Sequence, residues 1–324
     1  MKVIQFSEYG KSDVLKYVDV PIPKVKPGFV LVKVKAAGVN FADIMKRYGT
    51  YLAPTPLPCI PGAEVAGIVE EISPEVKHVK EGDRVVALTD EGGYAEYILL
   101  HESQLIKIPE AVEFEEAAAI LLQGLTAYHT LKTSGQLTKG ETVLVHAAAG
   151  GVGIFAVQLA KLFGAGKVIA TASTTEKLEL AKRVGADEGV NYTDYNWSEQ
   201  VMHHTNGKGV DVVLEMVGGD IFNKSIKLLG NFGRLVIYGR AGGESTNMDP
   251  SVLMQRSTSV IGFWLVRIMQ RPDLYRESID ELLGYIDQGK LIVNIGEIFK
   301  LEDANFAHKK MEARQTTGKI ILIP

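Results

Sequence analysis

One stretch of the chain, residues 142–173, constrains the fold more than any other. It reads T-V-L-V-H-A-A-A-G-G-V-G, then an apolar segment with helical spacing, and then K-V-I-A-T-A-S. The apolar run at 143–145 is typical of a strand buried on both faces, and the small residues after it predict a tight turn into a helix. Strand, glycine turn, helix and second strand together form the unit that binds the pyrophosphate of a dinucleotide.

Three small residues in this turn match a G-x-G-x-x-G fingerprint, with alanine in the first position: Ala148, Gly150 and Gly153. The first permits a tight turn, the second lets backbone N–H groups approach the pyrophosphate, and the third lets the helix pack closely. Gly151 and Val152 begin the helix, whose positive end would face the phosphates. The alternative is a packing turn without a ligand; the buried strand before it favours the dinucleotide.

The end of the second strand indicates which dinucleotide binds. NAD sites usually carry an acid about 20 residues after the glycines, which accepts from the ribose 2′-OH. This chain has T-A-S-T-T at 171–175 and no acid before Glu176. The hydroxyls of Ser173 and Thr174, the N–H groups of a helix start and Lys177 suit a 2′-phosphate. Ser173 or Thr174 could also cap that helix, with Glu176 as capping-box partner. We predict NADPH rather than NADH.

Composition excludes several classes of protein. The 324 residues, 46% of them hydrophobic, suffice for two domains. Lys and Arg number 35 against 39 Asp and Glu, without a basic run, so we expect no nucleic-acid partner. The single cysteine, Cys59, rules out an intrachain disulfide and suits the cytoplasm. No signal-peptide core and no apolar run long enough to cross a membrane are present, so we expect no membrane span.

The amino-terminal part has short strand patterns punctuated by glycine and proline, which predicts a partly open β-barrel. The strands are predicted at 29–35, 65–72, 84–88 and 95–99. The tail, 297–324, returns to short strands and could rejoin this domain. We therefore predict one domain from 1–119 with 290–324, and a second from 120–289.

The second domain alternates strands with helices, which predicts an α/β fold with a doubly wound parallel six-stranded sheet. Its strands are predicted at 142–146, 168–171, 189–192, 210–217, 234–238 and 259–263. Its helices are predicted at 115–131, 175–184, 197–205, 220–229 and 272–288.

Seven segments spread along nearly the whole chain carry a family resemblance. They are A-A-G-V-N-F-A-D (36–43), P-G-A-E-V-A-G (61–67), E-G-D-R-V (81–85), G-G-Y-A-E-Y (92–97), Q-G-L-T-A-Y (123–128), H-A-A-A-G-G-V-G (146–153) and G-K-I-I-L-I-P (318–324). The chain resembles the zinc-independent, zeta-crystallin-like quinone oxidoreductase branch of the medium-chain dehydrogenase/reductase superfamily. The resemblance implies a GroES-like β-barrel domain, a Rossmann domain, a nicotinamide in the cleft between them, and a homodimer.

The resemblance also implies that no metal is used. Asn40 and Ala63 stand where zinc alcohol dehydrogenases have a cysteine and a histidine ligand, and one cysteine cannot form a four-cysteine zinc lobe. Without a Lewis acid, the expected substrate is an electrophilic small molecule, a quinone or an α,β-unsaturated carbonyl compound, that receives hydride from NADPH.

Three residues are candidates for contact with that substrate. Y-G-T-Y-L resembles the segment that carries the catalytic tyrosine of mitochondrial enoyl-thioester reductases, and Tyr51 takes its place. Asn40 would contact the substrate or the nicotinamide ribose, and Asp43 lies in the same segment. Alternatively, Tyr51 packs a loop and Asp43 caps a helix.

Further cofactor contacts follow from matched positions. Thr126 would lie near the nicotinamide, and Lys177 and Tyr192 would hold the 2′-phosphate with Ser173 or Thr174. Residues after the fourth, fifth and sixth strands would line the nicotinamide side: Val217, Gly239, Arg240, Ala241, Phe263 and Trp264. Phe263 and Trp264 could instead belong to a dimer contact, since the family commonly pairs its sixth strands edge to edge.

Two other functions stay open at this point. One is a 2-enoyl-thioester reductase, which would need a wide cleft and a basic surface for its carrier. The other is a non-catalytic NADPH-binding protein with a regulatory or RNA-binding role, as in crystallin-type relatives.

Overall fold

The chain divides into two compact units. The computed structural model describes residues 1–244 and 246–324. Unit 1 comprises Met1–Leu122 and Asn294–Pro324, and unit 2 comprises Gln123–Val293. The amino-terminal segment and the carboxyl-terminal tail therefore build one unit together.

The helices and strands are numbered along the chain. Up to the first unit boundary they are β1 (Lys2–Gln5), β2 (Lys16–Asp19), β3 (Phe29–Val39), α1 (Phe41–Arg47), β4 (Glu64–Ile72), β5 (Arg84–Leu88), β6 (Tyr97–His101), β7 (Ile106–Lys107) and α2 (Phe114–His129), which crosses the boundary. Unit 2 continues with β8 (Thr142–Val145), α3 (Gly151–Leu162), β9 (Lys167–Ala172), α4 (Thr175–Arg183), β10 (Glu188–Asn191), α5 (Trp197–His204), β11 (Val210–Glu215), α6 (Gly219–Leu228), β12 (Leu229–Ile237), β13 (Ser259–Gly262), α7 (Leu265–Met269) and α8 (Pro272–Asp287). The tail adds β14 (Ile295–Lys300), α9 (Ala304–Glu312) and β15 (Lys319–Ile323).

Unit 1 is built on one large sheet with the strand order β14-β15-β3-β4-β5-β7, and β6 also pairs with β3. The long strand β3 pairs antiparallel with β15 through Val39 and Ile320, and antiparallel with β4 through Ala37 and Val65. Consequently the end of β3 and the starts of β4 and β15 lie side by side. Residues distant in sequence meet there.

Unit 2 contains a six-stranded sheet with the order β10-β9-β8-β11-β12-β13, in which every pair is parallel. This is the order of a doubly wound sheet made of two mononucleotide-binding halves, so the predicted fold class is confirmed. The central strands are apolar on both faces; Leu144, Ile169 and Val213 are fully buried. All the carboxyl ends share one edge, where ligands bind in such sheets.

The tail differs from the sequence prediction, which expected short strands alone. A helix, α9, lies between β14 and β15. Its buried residues Ala304, Ala307 and His308 have the three- and four-residue spacing of a helical face. The strand segments on either side obscured this short helix. Within the described ranges, 1–244 and 246–324, no helix is both long and apolar enough to cross a membrane.

Candidate functional site

The turn after β8 differs in detail from the fingerprint interpretation. The left-handed residue is Ala147, at φ +48°, one position before the predicted Ala148. Ala148 is fully buried, and its N–H donates to the carbonyl oxygen of Thr171 at 3.0 Å. The Gly150 N–H donates back to the Ala147 oxygen at 2.8 Å. Ala148 therefore joins β8 to β9, and its N–H is committed within the protein.

The three glycines of this turn have different reasons to lack a side chain. A Cβ at Gly153 would collide with the Ala147 oxygen and lie 2.6 Å from the Cα of Ala148, so glycine allows the helix to pack on the turn. A Cβ at Gly151 would collide with the side chain of Gln123. A Cβ at Gly150 would meet only the Ala147 oxygen, at 3.2 Å. This contact is tight, but it is the only one that a Cβ at Gly150 would make, so packing constrains this position less than it constrains Gly151 or Gly153, and a closely approaching ligand is a further reason for glycine there.

The start of α3 is suited to an anion. Gly150 is the N-cap residue, and the first bond along the helix runs from the Ile154 N–H to the Gly150 oxygen at 2.9 Å. The preceding N–H groups, those of Gly151, Val152 and Gly153, have no acceptor in the helix itself. Together with the helix dipole they favour a negatively charged group at this end.

A residue that the sequence interpretation missed lies beside this helix start. Gln123 is only 7% exposed, and its Oε1 atom has no hydrogen-bond donor among the residues that the structure describes. Leaving a buried acceptor unpaired costs about 1–3 kcal/mol, so such atoms are rare in native proteins. A dinucleotide carries ribose hydroxyl and carboxamide donors, which fits this atom. The motif Q-G-L-T-A-Y contains Gln123 beside the predicted contact Thr126.

Thr126 lies one turn further along α2 and is also buried, at 6% exposure. Its carbonyl oxygen accepts from the hydroxyl of Thr130 at 2.7 Å. Gln123 and Thr126 therefore share a buried side of α2 within unit 2.

The predicted 2′-phosphate residues follow the ends of the neighbouring strands β9 and β10. Thr174 is the N-cap of α4 and accepts from the Lys177 N–H at 3.3 Å. Glu176 is therefore the second helical residue, and the predicted capping box, which needs an acid at the third, is wrong. Hydrogen bonds from its own backbone and from the Thr174 hydroxyl lower the pKa of Glu176. Because the Thr174 hydroxyl is committed, half-buried Ser173 is the more available hydroxyl.

Tyr192 is tied to the same edge. Its N–H donates to the carbonyl oxygen of Ala172, the last residue of β9, at 3.1 Å. Ser173, Lys177 and Tyr192 therefore all lie at the carboxyl ends of β9 and β10.

The loops after β11 and β12 are joined by backbone hydrogen bonds. The Ala241 N–H donates to the carbonyl oxygen of Met216 at 2.7 Å, and the Gly242 N–H donates to the carbonyl oxygen of Val217 at 2.8 Å. The strand β11 ends at Glu215, two residues earlier than predicted, because the buried Glu215 carboxylate accepts from the Val217 and Gly218 N–H groups. Val217 and Ala241 are thus brought together.

The remaining predicted contacts flank this edge. A Cβ at Gly239 would lie 3.2 Å from the Cβ of Met216, and Arg240 lies beside Gly218. The Phe263 N–H donates to the carbonyl oxygen of Ile237 at 2.8 Å, and the Phe263 ring stacks on the His129 ring. Trp264 is the N-cap of α7 and lies under the Arg267 guanidinium.

Unit 1 holds a second group of polar residues, at the point where β3, β4 and β15 meet. The ammonium of Lys319 lies 2.6 Å from the Glu64 carboxylate, and both side chains are almost completely buried. The same ammonium donates to Oδ1 of Asn40 at 2.8 Å. Only Asn40 of these three was a sequence candidate, because strand pairing brings in the other two.

Asp43 is completely buried on α1 and acts as an acceptor for three groups. It accepts from the Asn40 N–H at 2.9 Å, from the Tyr94 hydroxyl at 3.2 Å and from the Gly62 N–H at 3.3 Å. Burial raises the pKa of this carboxyl, and the nearby Lys46, the Asn40 N–H, Lys319 and the Tyr94 hydroxyl oppose that rise. Asp43 fixes the backbone of Asn40 at the start of the helix, the capping role weighed above.

A directed chain of hydrogen bonds leads to Asp43 from Arg47. The guanidinium lies 3.1 Å from Nδ1 of His308, and Nε2 of His308 lies 3.1 Å from the Tyr94 hydroxyl. Because arginine can only donate, Nδ1 accepts and Nε2 carries the proton, which it donates to Tyr94. Tyr94 then donates its own proton to Asp43. Every donor in this chain points toward the buried carboxylate.

Tyr51 lies in the loop after α1, half-buried, with the Lys46 ammonium 5.3 Å from its ring centroid. Its neighbour Tyr48 donates its hydroxyl to Glu312 at 2.7 Å. Within the part of the chain that the structure describes, no three His, Cys, Asp or Glu residues could hold a metal ion together.

Buried histidines are expected to make the folded state less stable as the pH falls. Burial lowers the pKa of His146 to about 4, below the ordinary value near 6.5, so the unfolded chain takes up protons first as the pH falls. The contribution of neutral, buried His146 to the free energy of unfolding is therefore fully present above about pH 6.5 and is lost as the pH drops toward 4. We expect His146→Gln to reduce the fall in unfolding free energy between pH 7 and 5 by about 2 kcal/mol. Chemical denaturation at both pH values measures the free energy of unfolding. His78→Gln, a substitution of an exposed histidine, is the control. A pH dependence in H146Q equal to that of the wild type would contradict the prediction.

Comparison with known proteins gives full-length matches. The family model "Alcohol dehydrogenase GroES-like domain" matches residues 26–110, and "Zinc-binding dehydrogenase" matches residues 151–283. A quinone oxidoreductase of Pseudomonas aeruginosa is 40% identical over 325 residues, covering 100% of this chain and 99% of the relative. The human quinone oxidoreductase is 34% identical, covering 100% of this chain and 98% of the relative. The Escherichia coli quinone oxidoreductase, solved in complex with NADPH, is 35% identical with a TM-score of 0.95, covering 100% of both chains. The predicted pairing of a GroES-like domain with a Rossmann domain is confirmed.

Proposed function

The chain belongs to the quinone oxidoreductase branch of the medium-chain dehydrogenase/reductase superfamily, and we propose on this premise that it is an NADPH-dependent oxidoreductase. Its acceptors would be quinones or α,β-unsaturated carbonyl compounds. The observation that carries the proposal is the Gln123 oxygen beside the glycine turn, which has no hydrogen-bond donor among the described residues, 1–244 and 246–324. That oxygen and the single packing contact beside Gly150 fit a bound dinucleotide better than they fit a packing turn.

Unit 2 is assigned the cofactor, which supplies the hydride when bound. The N–H groups of Gly151, Val152 and Gly153 would hold the pyrophosphate. Ser173, Lys177 and Tyr192 would hold the 2′-phosphate, with Thr174 keeping the helix start in place. The nicotinamide side would be lined by the remaining predicted contacts and by Gln123: Thr126, Val217, Gly239, Arg240, Ala241, Phe263 and Trp264.

Unit 1 is assigned the acceptor substrate. Asn40 would donate a hydrogen bond to the carbonyl oxygen that gains electron density, and Tyr51 would supply the proton that an enolate needs. Asp43 would act through Asn40, because it is fully buried and holds the Asn40 backbone. We propose that no metal takes part, since Asn40 and Ala63 stand at the positions that match zinc ligands.

Two further properties belong to the proposal. Strand β13 forms an edge of the six-stranded sheet, which suits a homodimer that pairs the two β13 strands. The single, buried Cys59 suits a cytoplasmic protein.

The test is NADPH oxidation by the purified protein, in parallel with NADH, using 9,10-phenanthrenequinone and 1-octen-3-one as acceptors. We expect kcat/KM with NADPH to exceed that with NADH by about tenfold or more, because a 2′-phosphate adds charge-assisted hydrogen bonds. Tyr51→Phe should lower enone turnover by about 100-fold, the usual worth of a positioned proton donor, and leave quinone turnover within about twofold.

Each other outcome favours a different function. NADPH binding by fluorescence without turnover of either acceptor would indicate a non-catalytic NADPH-binding protein. Turnover that rises steeply with the chain length of enoyl thioesters would indicate a thioester reductase. Absence of NADPH binding would contradict the assignment of the cofactor site, and with it the whole proposal.

A further inference from the structure

We propose that Lys319, held by Glu64, is a positioning residue that orients the Asn40 amide so that it offers an N–H donor to the acceptor substrate. The inference rests on the proposed function, in which Asn40 contacts that substrate. It concerns an ion pair that the sequence interpretation did not use.

The contacts determine which way the amide points. A lysine ammonium can only donate, so the Asn40 atom 2.8 Å from it must be the oxygen, Oδ1. On the other side, Nδ2 donates to the carbonyl oxygen of Gly38 at 3.2 Å. An amide nitrogen carries two protons, and Gly38 takes one of them. The second N–H is therefore what Asn40 can offer to a ligand, while its oxygen is engaged by Lys319.

Hydrogen bonds and close packing hold the ion pair in place. One Glu64 oxygen accepts from Lys319 at 2.6 Å, and the other accepts from the Leu122 N–H at 2.9 Å. The absence of a side chain at Gly38 leaves room for the ion pair, because a Cβ there would be 2.5 Å from Cε of Lys319 and 2.9 Å from the Glu64 carboxylate. Three adjacent strands thus fix the ammonium against Asn40.

Stability alone is a poor explanation for this pair. Lys319 and Glu64 are 1% and 0% exposed, and a buried ion pair often stabilises a fold no better than apolar residues of the same volume. An ammonium against Oδ1 also polarises the amide, which strengthens the N–H as a donor. A stronger donor stabilises the negative charge that develops on a carbonyl oxygen during hydride transfer.

The test is a double-mutant cycle between the ion pair and Asn40, with kcat/KM for 9,10-phenanthrenequinone and 1-octen-3-one at saturating NADPH. The variant K319M/E64Q removes both charges, so that no lone buried charge remains. We expect it to lower kcat/KM about 10- to 100-fold, somewhat less than removal of an oxyanion donor outright. In an Asn40→Ala background the same double substitution should change kcat/KM by no more than about twofold, because its effect passes through Asn40.

Three controls separate positioning from folding. Lys310→Met breaks a partly exposed ion pair with Glu297 in the same tail and should leave kcat/KM unchanged. The Kd for NADPH in K319M/E64Q should stay within about twofold of the wild-type value, since the proposed NADPH contacts lie in unit 2. Asn40→Asp keeps an acceptor for Lys319 but has no N–H, so it should lose as much activity as Asn40→Ala.

Two results would overturn the inference: an equal loss from K319M/E64Q with and without Asn40, or wild-type turnover by Asn40→Asp. A readout independent of turnover uses protein labelled with ¹⁵N-asparagine. The Asn40 side-chain NH₂ resonances, assigned by their absence in Asn40→Ala, should shift in K319M/E64Q, and unchanged resonances would count against the inference. If the wild type reduces neither acceptor, the proposed function fails, while these resonances still test the orientation.

Discussion

Gly150→Ala should weaken NADPH binding about 100-fold and change the free energy of unfolding by no more than about 1 kcal/mol. The backbone at Gly150 has φ −81° and ψ 171°, which alanine adopts without strain. An added Cβ would meet only the Ala147 oxygen at 3.2 Å. Replacing glycine at a position with such backbone angles usually stabilises by about 0.4–1 kcal/mol, and the close contact with the Ala147 oxygen offsets part or all of that gain. The methyl group would, however, stand where the pyrophosphate approaches the backbone, and the loss of one or two charge-assisted hydrogen bonds, about 1.5–3 kcal/mol each, accounts for the expected loss of affinity.

The measurement pairs a fluorescence titration of NADPH with chemical denaturation. Gly153→Ala is the contrasting variant: its Cβ would strike the backbone at Ala147 and Ala148, which cannot give way, so stability should fall by about 1–3 kcal/mol along with affinity. Gly284→Ala, on α8 with nothing nearer than 4.0 Å, should leave affinity unchanged. If G150A bound NADPH like the wild type, the turn would not be the pyrophosphate site.

The parts of the fold that local patterns specify were predicted from the sequence. The six strands of unit 2 alternate with helices, and the inner strands β8, β9 and β11 are short runs buried on both faces, so periodicity alone indicated the sheet. The helix α9 was missed because it is only nine residues long and lies between two strands, β14 and β15. The left-handed residue of the turn, Ala147, was missed because the fingerprint describes side-chain size and not backbone angles.

The candidate site was predicted only where one segment contains it. Asn40 and Asp43 lie three residues apart, and their hydrogen bond follows from the start of a helix. Glu64 and Lys319 reach Asn40 through the pairing of β4 and β15 with β3, and a pairing over 279 residues leaves no local signal. His308 reaches Tyr94 in the same way, through the helix that the sequence interpretation did not find.

Ser173→Asp combined with Lys177→Leu should reverse the choice of cofactor. Lys177 would form charge-assisted bonds to the 2′-phosphate, and its loss should cost about 1.5–3 kcal/mol of NADPH binding. An aspartate at 173, directly after β9, would repel that phosphate and accept from the 2′-OH of NADH. The two effects together should shift the ratio of kcat/KM for NADPH over NADH by about 1,000-fold, which corresponds to about 4 kcal/mol.

Thr174 is left unchanged in this variant because its hydroxyl caps α4 and accepts from the Lys177 N–H, which a leucine retains. The measurement is steady-state turnover of 9,10-phenanthrenequinone with each cofactor, with Kd values by fluorescence. Lys182→Leu, an exposed lysine later on the same helix, is the matched control and should leave the ratio unchanged. The double variant replaces attraction to a phosphate at this edge with repulsion. An unchanged ratio would therefore mean that residues other than Ser173 and Lys177 select the cofactor.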